Sequence, residues 1–165
     1  MKKIFILIAL TLCATIMLFK VNAKDNIVRI HIRAASDSEY DQQIKISVRD
    51  EINEYLAPKL KDVKTKKQAE KIIIESLPEI ERTGRSVAEC DVSARLVQEY
   101  FPEKTYGNKT YPAGEYTALI VDIGGGKGRN WWCVAFPPMC YTSDKSGKTQ
   151  YRSLIYDFLE RIGLI

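Results

Sequence analysis

The chain holds one histidine, His31, set between Arg29 and Arg33 in an alternating stretch. A nucleophilic pair would need a thiol beside that imidazole and an acid to orient it. Cys133 and Cys90 are the available thiols, and Asp122 and Asp37 are acids that could serve. Such a set would make the protein a secreted cell-wall or peptide hydrolase, using His31 with a cysteine or carboxylate. The plainer reading of a lone histidine is a structural or contact residue. Acids also gather at Asp37, Glu39 and Asp41 and at Asp50, Glu51 and Glu54. Both groups fall on one predicted helix, where the dipole accounts for acids in the first turn and solvent for the rest. Asp41 and Lys45 have the spacing of an ion pair on that helix.

The run Gly124-Gly125-Gly126-Lys127-Gly128-Arg129-Asn130 invites a phosphate-binding reading and fails it. A P-loop needs Ser or Thr after its lysine, and here Gly128 follows Lys127. In the dinucleotide pattern the third glycine would fall on Arg129. The run is expected to be a flexible hairpin loop, with Lys127 and Arg129 exposed to an acidic partner. Trp131 and Trp132 follow it. On a strand they face opposite ways, so one enters the core and the other is either a contact residue or covered by a C-terminal helix.

Of four cysteines, Cys13 lies in an apolar leader. Cys133 and Cys140 are the natural disulfide pair, because Pro137-Pro138 can turn the chain back between them, while pairings through Cys90 stay open. Unpaired, Cys90 is expected to be a buried small hydrophobe. With three remaining cysteines, one histidine and no C-x-x-C spacing, no structural metal and no cofactor are expected.

Compartment follows from the first residues. Met1-Lys2-Lys3 is a charged start, Ile4 to Phe19 is an apolar run of 16 residues, and Val21-Asn22-Ala23 ends as a cleavage site does. Residues 1–23 are therefore expected to be a signal peptide, cleaved or kept as an anchor, and 24–165 a single domain outside the cytoplasm. The leader holds three lysines and no acid, so the rest carries 22 basic and 21 acidic residues. That near balance argues against nucleic acid and against a wall or membrane adaptor, beyond what an uncleaved leader would supply.

The elements that must position these residues alternate with two periods. Ile27 to Ala35 reads as a strand with one buried and one polar face, the latter carrying Arg29, His31 and Arg33. Ser36-Asp37-Ser38-Glu39 has capping-box spacing and opens a helix to about Ala57, ended or bent by Pro58. Thr65 with Gln68 caps a second helix through Leu77, and Thr83 to Ser86 is expected to be a turn. Strands are expected at Ala88 to Leu96, Tyr116 to Ile123 and Trp131 to Phe136, with turns at Tyr106-Gly107-Asn108-Lys109 and Tyr111-Pro112-Ala113-Gly114. Tyr151, Leu154, Ile155, Phe158, Leu159 and Ile162 have the spacing of a last amphipathic helix. The order predicts an α+β fold: one domain, a mostly antiparallel sheet packed with two N-terminal helices and a C-terminal helix.

Two segments carry more than periodicity. Residues 29–38, from Arg29-Ile30-His31-Ile32-Arg33 to Ser38, continue into Asp41-Gln42, Lys45 and Val48-Arg49-Asp50. The second segment holds Tyr106-Gly107, Tyr111-Pro112-Ala113-Gly114-Glu115-Tyr116 and 124–140, including Gly126-Lys127-Gly128-Arg129-Asn130-Trp131-Trp132-Cys133-Val134-Ala135-Phe136-Pro137-Pro138-Met139-Cys140. Together they resemble the stage II sporulation protein R family over roughly residues 27–141. The chain departs from the family's usual residues at Ala35 and Gly125.

The resemblance implies an exported forespore protein in the space between forespore and mother cell. It implies a role in activating a membrane-embedded sporulation aspartic protease that cleaves the precursor of the early mother-cell sigma factor. It supplies no catalytic residues. The contact residues expected here, from charge, aromaticity and proximity to the two segments, are His31, Arg33, Lys127, Arg129, Asn130, Trp131 and Trp132.

Overall fold

A computed structural model describes residues 26–106 and 109–139. The leader, Cys140 and the expected C-terminal helix lie outside the described residues. The elements, in order, are β1 (Val28–Arg33), α1 (Glu39–Leu60), α2 (Lys66–Ala88), β2 (Val92–Phe101), β3 (Lys104–Tyr106), β4 (Lys109–Tyr111), β5 (Gly114–Ile123) and β6 (Asn130–Phe136). Two helices and a mostly antiparallel sheet make an α+β domain.

Four strands form the main sheet in the order β2-β5-β1-β6, and β3 pairs with β4 as a separate hairpin. β5 pairs antiparallel with β2 and parallel with β1, and β1 pairs antiparallel with β6. The parallel pair follows from the connection. The two helices carry the chain over one face, and β1 becomes a central strand.

Central placement changes what the alternating pattern means. The set Val28, Ile30 and Ile32 faces α1 and α2, packed with Val48, Ile52, Leu56, Ile73, Ile80 and, from the neighbouring strands, Leu119 and Val121. The other set, Arg29 and His31, was expected to face solvent. It is covered instead, with Arg29 at 0% and His31 at 5% exposure. The covering residues belong to a second apolar cluster, Phe101, Tyr111, Tyr116, Ala118, Ile120 and Val134, with Tyr106 and Trp132 against it. The C-terminal end of β2 and the β3–β4 hairpin supply much of that cover, which no local pattern in β1 could announce.

Several boundaries differ from expectation. Ser38, not Ser36, caps α1, its hydroxyl accepting from Asp41 N at 3.1 Å. Ser36 instead donates to the Asp41 carboxylate. Pro58 lies inside α1, which runs on to Leu60. Thr65 and Gln68 form the expected reciprocal capping box of α2.

The expected turn at Thr83–Ser86 is helix, and the strand begins at Val92 rather than Ala88. The cause is tertiary. Gly84 lies under the β2 strand, and a Cβ there would meet Val92 Cγ1 at 2.8 Å. A glycine that would weaken an isolated helix is what lets this one approach the sheet. The helix stops at Glu89, whose φ of 52° gives a left-handed cap.

Candidate functional site

The glycine run is not a free loop. Gly124 N–H donates to Asp91 O at 2.9 Å and Gly126 N–H to Ile123 O at 3.0 Å. These bonds turn the chain after β5, with Gly124, Gly125 and Gly126 all at positive φ. The chain then runs against the connection between β1 and α1. Gly128 N–H donates to Ala34 O at 2.8 Å. A Cβ on Gly128 would meet Ser36 O at 2.2 Å, so only glycine permits this approach. Arg129 N–H donates to Asp37 Oδ1 at 2.6 Å, and its guanidinium lies 3.6 Å from the same carboxylate. Lys45 Nζ donates to Arg129 O at 3.0 Å and to Gln42 Oε1 at 2.7 Å.

Lys45 is 5% exposed, and burial pulls its ammonium below the ordinary lysine range, as do the charges of Arg129 and Arg49 against the opposing pull of Asp37. The expected Asp41–Lys45 pair is replaced by these bonds, because α1 turns Lys45 toward the loop. The site therefore joins residues 34–45 to residues 124–130 by backbone and side-chain bonds together. Lys127, Arg129 and Asn130 are exposed along its rim.

Beneath it, Asn130 to Phe136 forms an edge of the described sheet against β1, where His31 opposes Trp132 and Ile32 opposes Trp131. The tryptophans face opposite sides, as strand geometry requires, and both are partly buried. Trp131 packs on the helix side, with the Arg49 guanidinium 5.5 Å from its ring. Trp132 packs on the other side, edge-on to His31 at 5.5 Å, with Lys104 Nζ 5.0 Å from its ring.

His31 Nδ1 lies 3.2 Å from Glu99 Oε1. Arg33 shares that carboxylate and reaches Asp122 at 3.3 Å, while Arg95 holds Asp122 at 2.6 Å. Burial lowers the imidazole from its ordinary 6.5. Asn130, by its side chain, and Glu99 oppose that pull, and the Arg33 charge adds to it. No hydrogen bond of good geometry reaches His31 Nε2.

Arg29 lies deeper. Its Nε donates to Cys133 O at 3.1 Å and its Nη2 to Tyr106 Oη at 3.1 Å, and Tyr106 in turn donates to Trp132 O at 3.1 Å. The guanidinium lies 4.5 Å from the Phe101 ring centre and 5.2 Å from that of Tyr116, so aromatic faces stand where a carboxylate would be expected.

Of the residues singled out from sequence, Lys127, Arg129 and Asn130 are brought to one exposed rim. Arg33 is ion-paired and mostly covered, and His31 is buried. Neither candidate thiol joins His31. Cys133 is not a free thiol, and its side chain packs in the helix-side core, on the opposite face of the sheet. Cys90 is free and exposed rather than buried. The acid that does meet His31 is Glu99, which sequence reasoning missed, as it missed Arg29, Gln42 and Lys45. Among the described residues no group of three or more His, Cys, Asp or Glu could hold a metal ion, and no helix is long and apolar enough to cross a membrane.

The fold and site thus define a single α+β domain whose two most distinctive sequence segments meet in one polar, loop-built surface. The model of the family "Stage II sporulation protein R" matches residues 24–146. A curated relative, the stage II sporulation protein R of Bacillus subtilis (strain 168), is 39% identical over 129 residues, which is 75% of this chain and 58% of that protein. The chain belongs to the stage II sporulation protein R family, and so among the proteins of sporulation. It spans somewhat over half the length of the curated relative it matches. No solved structure matches it.

Proposed function

We propose that this protein is an exported forespore signal that acts by contact. It would be delivered across the forespore membrane by its leader. In the intermembrane space it would bind the extracytoplasmic part of the membrane-embedded aspartic protease that processes the early mother-cell sigma factor precursor. Binding that favours an active arrangement of the protease is sufficient for activation, since a ligand shifts a conformational equilibrium by its differential affinity.

The observation that carries this reading is the junction of the two segments, held by Gly128 N–H on Ala34 O and Lys45 on Arg129 O. A glycine that admits no side chain, and a buried lysine holding a loop carbonyl, fix one rim in a defined shape. Preformed polar rims of this kind suit recognition. Lys127, Arg129 and Asn130 are the contact residues on that rim, and His31, Trp131 and Trp132 support it from beneath. A bridge between Cys133 and Cys140 would hold the strand that follows.

The hydrolase reading has the His31–Glu99 pair in its favour. Neither thiol that the reading would use joins His31, since Cys133 packs on the opposite face of the sheet and Cys90 lies outside the strands, so the ligand reading is preferred.

The test is sigma-precursor cleavage in sporulating cells carrying Lys127→Glu with Arg129→Ala. Cleavage is expected to fail while the protein accumulates normally, and the purified variant is expected to lose binding to the protease's outer segment. Normal cleavage in that strain would overturn the proposal.

A further inference from the structure

The covered face of β1 carries charge as well as rings. His31 meets Glu99 of β2 at 3.2 Å, and Arg33 shares that carboxylate. Arg33 also reaches Asp122 of β5, which Arg95 of β2 holds by its other oxygen. With His31 neutral, two guanidinium groups face two carboxylates and the cluster balances. A proton on His31 sets three cations against two anions. The carboxylate side chains of Glu99 and Asp122 are 23% and 14% exposed, so water screens that excess only in part. Among the described residues, Glu99 alone is an anion that acts on the ring. Arg29, two positions back on the same face, is a buried cation, and Lys104 of β3 stands over the Trp132 ring. Burial holds the Tyr111 and Tyr116 phenols above their ordinary range, so both stay neutral. From β6 come Trp132 and Asn130, which carry no charge.

A second proton also needs an acceptor. A carboxylate only accepts, so in the pair with Glu99 it is Nδ1 that carries the first proton. The second goes to Nε2, which is buried without a hydrogen bond of good geometry. The side chain placed to answer it is Asn130. It lies opposite Arg33 where Trp132 lies opposite His31, so it is the diagonal neighbour of the ring, and its side chain acts on it. Asn130 is also exposed on the rim. Beside a neutral ring its amide can present NH2 to the Nε2 lone pair, and beside a protonated ring it must present its oxygen. The cluster touches the rim loop a second time at Asp122, whose Oδ1 a Cβ on Gly126 would meet at 2.6 Å. We infer that His31 is a proton switch for the rim: taking up a proton turns over the Asn130 amide, unbalances the ion pairs beneath Gly126 and weakens binding at residues 124–130. A partner matched to the neutral form then meets a donor where it had an acceptor. Because burial pushes the ring's titration below its ordinary 6.5, the rim keeps its binding form at neutral pH and loses it in acid. The loss of binding rests on the signalling reading, whereas the rearrangement of the rim does not.

The experiment is an NMR titration of the purified protein downward from about pH 7.5, following the His31 ring, the Asn130 side-chain amide and the backbone amides of residues 124–130. The Asn130 and Gly126 resonances are expected to move with the His31 midpoint, reversibly and with unchanged circular dichroism. Glu99→Gln removes the anion that favours the proton, so it is expected to lower the His31 midpoint, and the rim resonances should follow it down. His31→Gln is expected to abolish the rim change. Affinity for the protease's outer segment is expected to fall about fivefold or more across the midpoint in the wild type and to stay level in His31→Gln. Rim resonances that ignore the His31 midpoint overturn the inference, as do rim resonances that keep their own midpoint when Glu99→Gln moves that of the ring. Affinity that stays level across the wild-type midpoint overturns it as well. Absence of binding at the starting pH refutes the signalling reading instead, and the resonances then decide the switch.

Discussion

Gly128→Ala tests the junction at its tightest point. The added methyl would lie 2.2 Å from Ser36 O, a backbone atom that cannot swing aside as a side-chain tip does. Gly128 has no positive φ, so the effect is steric and not conformational strain. Relief requires the loop to move away from the β1–α1 connection. Three hydrogen bonds then weaken together: Gly128 N–H to Ala34 O, Arg129 N–H to Asp37, and Lys45 Nζ to Arg129 O. A neutral bond contributes about 1 kcal/mol and one to a charged group about 1.5–3 kcal/mol. The Asp37 contact is exposed and belongs at the bottom of that range or below it. Losing Arg129 O also leaves the buried Lys45 ammonium with one acceptor fewer. The expected destabilisation is about 2–4 kcal/mol, allowing for partial re-formation by water. Urea unfolding followed by circular dichroism measures it, with Lys127→Ala as the surface control expected to change little. In cells the same variant should impair sigma-precursor cleavage more than its loss of stability explains. A change below about 0.5 kcal/mol, the range of ordinary surface substitutions, would refute the view that the loop is docked.

Two further outcomes are expected. Because burial lowers the His31 imidazole, the folded protein holds that proton less tightly than the unfolded chain. Unfolding therefore takes up a proton, so this contribution to stability is complete above about 6.5 and is lost as pH falls from there through the folded value. As His31 is the only histidine, its ring resonances in a proton NMR titration should report a midpoint below 6.5, and His31→Gln should flatten stability between pH 7 and 5. Gly84→Ala should destabilise through overpacking of Val92, by about 1–3 kcal/mol less the roughly 1 kcal/mol that alanine adds to a helix. Making Val92→Ala in addition should recover part of that loss in the same unfolding assay, and strict additivity of the two changes would count against the contact.

Local chemistry determined a good deal from the sequence by itself. The Thr65–Gln68 capping box, the alternating strands and the turn at Tyr111-Pro112-Ala113-Gly114 all depend on neighbours in the chain, and they were legible, while the expected turn at Gly107-Asn108 lies outside the described residues. Family membership was legible too, because the tryptophan–cysteine–proline run is specific as a string of residues. The tertiary structure decided the rest, where a residue's environment comes from chain far away. Arg29 and His31 alternate with valine and isoleucine as solvent-facing residues do, yet Phe101, Tyr106 and Tyr116, some seventy to ninety positions later, cover them. Gly84 resembles a turn until Val92 is seen against it. Gly128 resembles a hinge until Ser36 fills the place of its side chain. Periodicity reports which residues share a face. Whether that face meets water or protein depends on how the chain returns to it.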